Sequence, residues 1–183
     1  AKFRAMKRLF VALKLPPALS TILLDTMGLV SGARWQSEGQ LHLTLAFLGD
    51  VSEDAAERLD AALEMIDAPP VPLQLSGAGS FASRGRVHSL WIGAAPEEAL
   101  AELAKKGRRA ARQAGLTPEE RAFEPHITVA RLNAGSGPVD GFIRQWSDLT
   151  SPAVTVDQFG LYESRMGQGG SAYHCLVDYH LRG

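Results

Sequence analysis

HLTLAFLG, from His42 to Gly49, alternates polar and apolar side chains at its start and then runs apolar into a Gly-Asp turn signal. That pattern reads as a β-strand with one face in a core. The same pattern returns as HITVARLN, from His126 to Asn133, with His, Thr, Ala and Leu matched at equal positions. Leu43 and Ile127, and Leu45 and Val129, keep apolar character at two more. The offset is 126 − 42 = 84 residues in a chain of 183, close to half its length. A repeat at half-chain spacing predicts two related lobes, each covering the other's apolar face.

The flanking segments fill in the lobes. RLFVALKL (8–15), ended by Pro16 and Pro17, predicts a strand, and residues 16–30 predict a helix with Leu19, Ile22, Leu23 and Met27 at helical spacing. Ser52 is an N-cap signal for a helix carrying Leu59, Leu63 and Ile66. Strands are expected near 71–76 and 87–93, joined by a Gly/Ser-rich connection from Gly77 to Gly85. A helix from about Pro96 to Ala114 stops at Gly115, a strand lies within 122–132, and 133–141 is a loop. The last strands, near 153–163 and 172–181, are joined by a hairpin from Met166 to Gly170. Antiparallel strands with helices outside them give an α+β class, with residues 1–183 as a single bilobal domain; if a pseudo-twofold axis relates the two lobes, their His/Thr faces oppose each other across a shared cleft.

Composition excludes several functions. The net charge of −1 gives no global positive field for long nucleic acid, so any RNA must be held locally. The apolar runs are far too short to span a membrane, and the basic start lacks the apolar core of a secretory leader. With one cysteine, Cys175, no intramolecular disulfide can form. A monomeric cytoplasmic protein is the expectation, with Cys175 a small buried hydrophobe.

In a strand, His42 and Thr44 project from one face, as do His126 and Thr128, while Leu41, Leu43, Leu45, Ile127 and Val129 point into the core. Two imidazoles and two hydroxyls facing each other across a cleft suit a phosphodiester. In-line displacement needs a base for the nucleophile and an acid for the leaving oxygen, and hydroxyls can donate to the non-bridging oxygens. Neither motif brings Cys, Asp or a second His at ligand spacing, so no metal and no cofactor are expected.

RLFVALKLP, LHLTLAFLG, FEPHITVAR and the closing LYES…GGSAYH together resemble the two-histidine (2H) phosphoesterase superfamily. Within it the chain is most similar to bacterial RNA 2′,3′-cyclic phosphodiesterases, also called LigT-like or 2′-5′ RNA ligases. The resemblance implies hydrolysis of a terminal 2′,3′-cyclic phosphate to a 2′-phosphomonoester, with reversible 2′-5′ ligation as a weaker activity. It implies His42 as proton donor, His126 as proton acceptor, and Thr44 and Thr128 as phosphate ligands. Arg131 is a further candidate ligand, but three residues past Thr128 it has the wrong parity unless the strand bulges. Phe10 and Phe47 are candidates to stack on a base, with core packing as the competing role. Lys105, Arg108, Arg109 and Arg112 share one helix face, either an RNA track or a solvated surface. His88, His174 and His180 lack a Thr two residues on and are taken as structural or surface residues. The resemblance implies an RNA end as the substrate, with a small cyclic nucleotide such as an ADP-ribose cyclic phosphate as an alternative. A non-catalytic RNA-end binder is the remaining alternative.

Overall fold

The computed structural model describes residues 6–182, so most of the basic start lies outside the described residues. Strand β1 (Lys7–Lys14) leads into helix α1 (Pro17–Asp25), whose rigid prolines precede and open it. A two-residue strand β2 (Arg34–Trp35) and a 3-10 turn (Glu38–Gln40) precede β3 (His42–Val51). Helix α2 (Glu53–Glu64) starts at Ser52, whose hydroxyl accepts from the Ala55 amide at 3.2 Å, as the N-cap signal predicted. Then come β4 (Val71–Ser83), β5 (Arg86–Ala95) and helix α3 (Glu97–Gln113), after which Gly115 turns the chain at φ 86°. The remaining elements are β6 (His126–Arg131), α4 (Asp140–Trp146), β7 (Val154–Val156), β8 (Gln158–Gly167) and β9 (Gly170–His180). No helix among the described residues is long and apolar enough to cross a membrane.

Two antiparallel sheets result, ordered β3-β1-β8-β9 and β2-β6-β5-β4-β7. The lobes are therefore not the halves of the chain. The strand pair that follows β6 completes the sheet begun by β1 and β3, whereas the pair that follows β3 builds the sheet of β6. One apolar cluster runs through both, from Leu9, Val11 and Leu43 to Ile92, Ile127 and Val129, with Leu100, Leu103 and Ala110 of α3 against it. Each buried leucine contributes roughly 1.5–3 kcal/mol relative to exposure. This packing covers one face of each sheet and leaves the His/Thr faces free.

Four expectations change. The Gly/Ser-rich stretch after Leu75 is mostly strand, and only Arg84 and Gly85 form the turn. Gly79 is small because Trp91 lies against it: a Cβ there would collide with the indole. The run near 153–163 divides at Asp157 into β7 and β8, which belong to different sheets. The helix expected over 16–30 stops at Asp25, and the loop after β6 gives way to the short α4, anchored by fully buried Phe142.

Candidate active site

His42 and Thr44 project from one face of β3, His126 and Thr128 from one face of β6, while Leu43, Leu45, Ile127 and Val129 are buried behind them. The charge of His126 bears on His42, and the charge of Arg131 bears on both rings, so the two motifs share one electrostatic environment.

Arg131 reaches that environment through a bulge. Opposite β5, Thr128 pairs with Trp91 but Ala130 pairs with Leu90, so Val129 is the extra residue. The bulge shifts parity, turning Ala130 into the core and Arg131 out to the His/Thr face. Strand β3 does the same: Thr44 pairs with Ala12 and Ala46 with Val11, so Leu45 is extra. Phe47, at the position equivalent to Arg131, is turned outward and is 50% exposed, which corrects the core-packing expectation for it. The repeat thus extends to the backbone irregularity and carries a cation in one lobe and an aromatic plate in the other.

Each ring is oriented the same way. His42 Nδ1 lies 2.9 Å from the Gln40 carbonyl, and His126 Nδ1 lies 2.6 Å from the Glu124 carbonyl, two residues upstream in both cases. A carbonyl only accepts, so each Nδ1 donates, and in the neutral ring Nε2 keeps its lone pair for chemistry. Aromatic rings brace both. Phe10 and Tyr173 lie 4.9 and 4.7 Å from His42, and Phe81 and Trp91 lie 4.9 and 5.9 Å from His126, centroid to centroid. Phe10 is buried and also stacks on Tyr162 at 5.5 Å. Sequence reading missed Tyr173, Phe81 and Trp91, because strand pairing is what carries them to the histidines.

Beside His42 opens a cavity of about 670 Å³, lined among others by Lys14, Tyr162, Tyr173 and Asp178. Cys175 also lines it and is exposed, correcting the buried expectation: β9 is an edge strand, and the thiol lies 3.2 Å from an Asp178 carboxylate oxygen. Partial desolvation of the sulfur against the cavity wall, with Asp178 alongside, pushes the Cys175 thiol up to about 11. The basic face of α3 lies on the far side of the sheets. Arg112 pairs with Glu120, and Arg108 donates to the Arg121 carbonyl, which favours the solvated-surface reading. His88 is half-buried and His174 and His180 are exposed, all outside the ring pairings that surround the two motifs.

Burial, opposed by the Gln40 hydrogen bond and reinforced by Arg131 and His126, pulls His42 down to about 4. Burial also lowers His126, against the Glu124 carbonyl and carboxylate, with Arg131 lowering it further. Both rings are neutral in the free protein near pH 7. Because the folded values lie below the ordinary 6.5, stability is complete above about pH 6.5 and is lost as pH falls toward 4. Thermal midpoints measured over that window should fall with acid in the wild type and fall less steeply in His42→Ala; parallel curves would show that His42 is not the group responsible.

The fold and its likeness to known proteins agree. The family model described as the 2'-5' RNA ligase superfamily matches residues 31–168. The RNA 2',3'-cyclic phosphodiesterase of Escherichia coli (strain K12) is 34% identical over 181 residues, covering 96% of this chain and 97% of that protein. The protein of the same name from Thermus thermophilus is 31% identical over 191 residues, with coverages of 96% and 91%. The crystal structure of E. coli LigT in apo form aligns with a TM-score of 0.75 at 27% identity, covering 98% of this chain and 99% of that one. LigT complexed with 3'-AMP aligns with a TM-score of 0.76 at 28% identity over 97% and 99%. A match over residues 31–168, in a chain that places paired His-x-Thr strands on two such sheets, means that this protein belongs to the 2'-5' RNA ligase superfamily.

Proposed function

We propose that the chain is a single bilobal phosphodiesterase domain that hydrolyses a terminal 2′,3′-cyclic phosphate on RNA to a 2′-phosphomonoester, acting as a monomer. The observation that carries this reading is the duplicated device: two His-x-Thr strands, each with Nδ1 tied to a backbone carbonyl and Nε2 left free. The relatives' shared name, RNA 2',3'-cyclic phosphodiesterase, supports the same chemistry.

In the proposed reaction His126 Nε2 takes a proton from water as its oxygen bonds to phosphorus. His42 gives a proton to the 3′ oxygen as the P–O3′ bond breaks, leaving the phosphate on O2′. Thr44, Thr128 and Arg131 stabilise charge on the non-bridging oxygens. A buried imidazole is a poor cation in the free protein, but the bound phosphate brings a negative charge that offsets burial and restores His42 as an acid. Phe47, exposed beside this group, offers its face to the terminal base, with Phe10 holding the His42 ring behind it. Ligation is the same displacement with a 5′-hydroxyl in place of water.

Among the described residues no three metal-ligating side chains converge, and no step of this mechanism uses a metal. The test is product analysis. An RNA ending in 2′,3′-cyclic phosphate, incubated in excess EDTA, should yield a 2′-phosphate at the rate seen without chelator. A 3′-phosphate product would reverse the choice of leaving oxygen. Loss of activity restored only by a divalent ion would overturn the metal-free mechanism.

A further inference from the structure

The hairpin of β4 and β5 carries the His126 face of the second sheet outward. Gly79 pairs with Trp91, Phe81 with Ser89 and Ser83 with Arg86, while Ser89 pairs with Arg131 and Trp91 with Thr128. His88 is an extra residue between Val87 and Ser89, and this bulge keeps Arg86 on the face of Phe81 and Ser89. From Thr128 toward the tip, that face therefore presents Trp91, Phe81 and Arg86, with Arg131 on the strand alongside.

The tip itself is positive. Residues 68–96 contain Arg84, Arg86 and His88 and no Asp or Glu, in a chain whose net charge is −1. Both arginines are exposed, and among the described residues neither is paired with a carboxylate. Arg84 and Gly85 form a two-residue turn at φ 53° and 76°. Such a turn suits Asn-Gly, so an arginine at its first position does nothing for the turn that asparagine would not do with less strain. The cations of α3 differ on each count: they lie behind the sheets and several are engaged locally.

We propose that the β4–β5 hairpin is an arm that holds the sugar–phosphate backbone of the single-stranded RNA whose cyclic end reacts between His42 and His126. This rests on the hydrolytic reading above and specifies its substrate as an oligonucleotide. Arginine forks match phosphate oxygens, and the half-buried Phe81 lies on the same face between Arg86 and the histidine. Arg86 lies seven residues from Gly93, the strand partner of His126, roughly 20 Å along the bulged strand. A mononucleotide seated at the histidines does not extend that far, so the arm acts only on longer substrates.

The test uses Arg84→Asn/Arg86→Gln, which removes both charges and keeps a residue suited to the left-handed turn position. Hydrolysis of a short single-stranded RNA ending in 2′,3′-cyclic phosphate is compared with that of a nucleoside 2′,3′-cyclic phosphate. Two phosphate contacts should make the oligonucleotide's kcat/KM fall about sevenfold more than the mononucleotide's between 50 and 200 mM salt. The variant should lose that difference and leave the mononucleotide reaction unchanged. Equal salt dependence in wild type and variant, or equal loss on both substrates, overturns the arm. Should the wild type hydrolyse neither substrate, the hydrolytic reading fails by itself. Binding of a 3′-phosphorylated oligonucleotide to His126→Ala, followed by fluorescence anisotropy, still tests the arm. Removing the two arginines there should weaken binding on the order of tenfold, and unchanged binding rejects the proposal.

Discussion

Replacing His42 or His126 with alanine is expected to lower hydrolysis of an RNA 2′,3′-cyclic phosphate on the order of a hundred- to ten-thousand-fold, with the fold retained. Each ring is held by one hydrogen bond and two aromatic neighbours and lies outside the main apolar core, so its removal opens no cavity there. The two losses should not add. Once one proton transfer is missing, the other no longer has a concerted partner, and the double variant should sit near the worse single. The proposed roles separate on an acyclic diester with a 4-nitrophenol leaving group, which departs without protonation. There His42→Ala should recover much of its activity and His126→Ala should not. Recovery by His126→Ala alone would exchange acid and base, and full activity of either variant on the cyclic substrate would end the two-histidine mechanism.

Arg131→Gln is expected to cost on the order of a hundredfold in kcat/KM, the scale of losing one preorganised donor to a developing charge. It should also move the pH profile. Arg131 lowers both histidines, so its removal lets both rise toward 6.5. The bell-shaped kcat/KM profile of the free wild-type enzyme should have its maximum below pH 6.5, and the variant's should lie at higher pH. Arg131→Lys, which keeps the charge and loses the fork, should leave the profile in place while recovering only part of the rate. A rate loss without a pH shift would make Arg131 a phosphate ligand that is electrostatically remote from the rings.

The site is legible in the sequence where it obeys strand parity. His42, Thr44, His126 and Thr128 take a common face from i, i+2 spacing, and the buried leucines behind them take the complementary positions. Arg131 and Phe47 break that parity. Only the pairing registers reveal that Leu45 and Val129 are bulge residues, because a bulge is a property of two strands and leaves no mark on one. The exposure of Cys175 escapes the sequence for a related reason: an apolar-looking strand is buried or exposed according to its place in the sheet, and β9 lies at an edge.

By itself the amino-acid order determined the repeat, the α+β class, the strand faces and the residue types that make acid–base chemistry on a phosphate workable. Alternation and helical spacing are short-range properties, so they are written locally. Which strands became neighbours was decided only in three dimensions. The closing β8–β9 pair joins β1 and β3, the middle β4–β5 pair joins β6, and this exchange brings Tyr173 to His42 and Trp91 to His126. Backbone hydrogen bonds are alike along every strand, so sheet order is set by which apolar faces can be buried together, a competition among the whole set of elements that no single segment encodes.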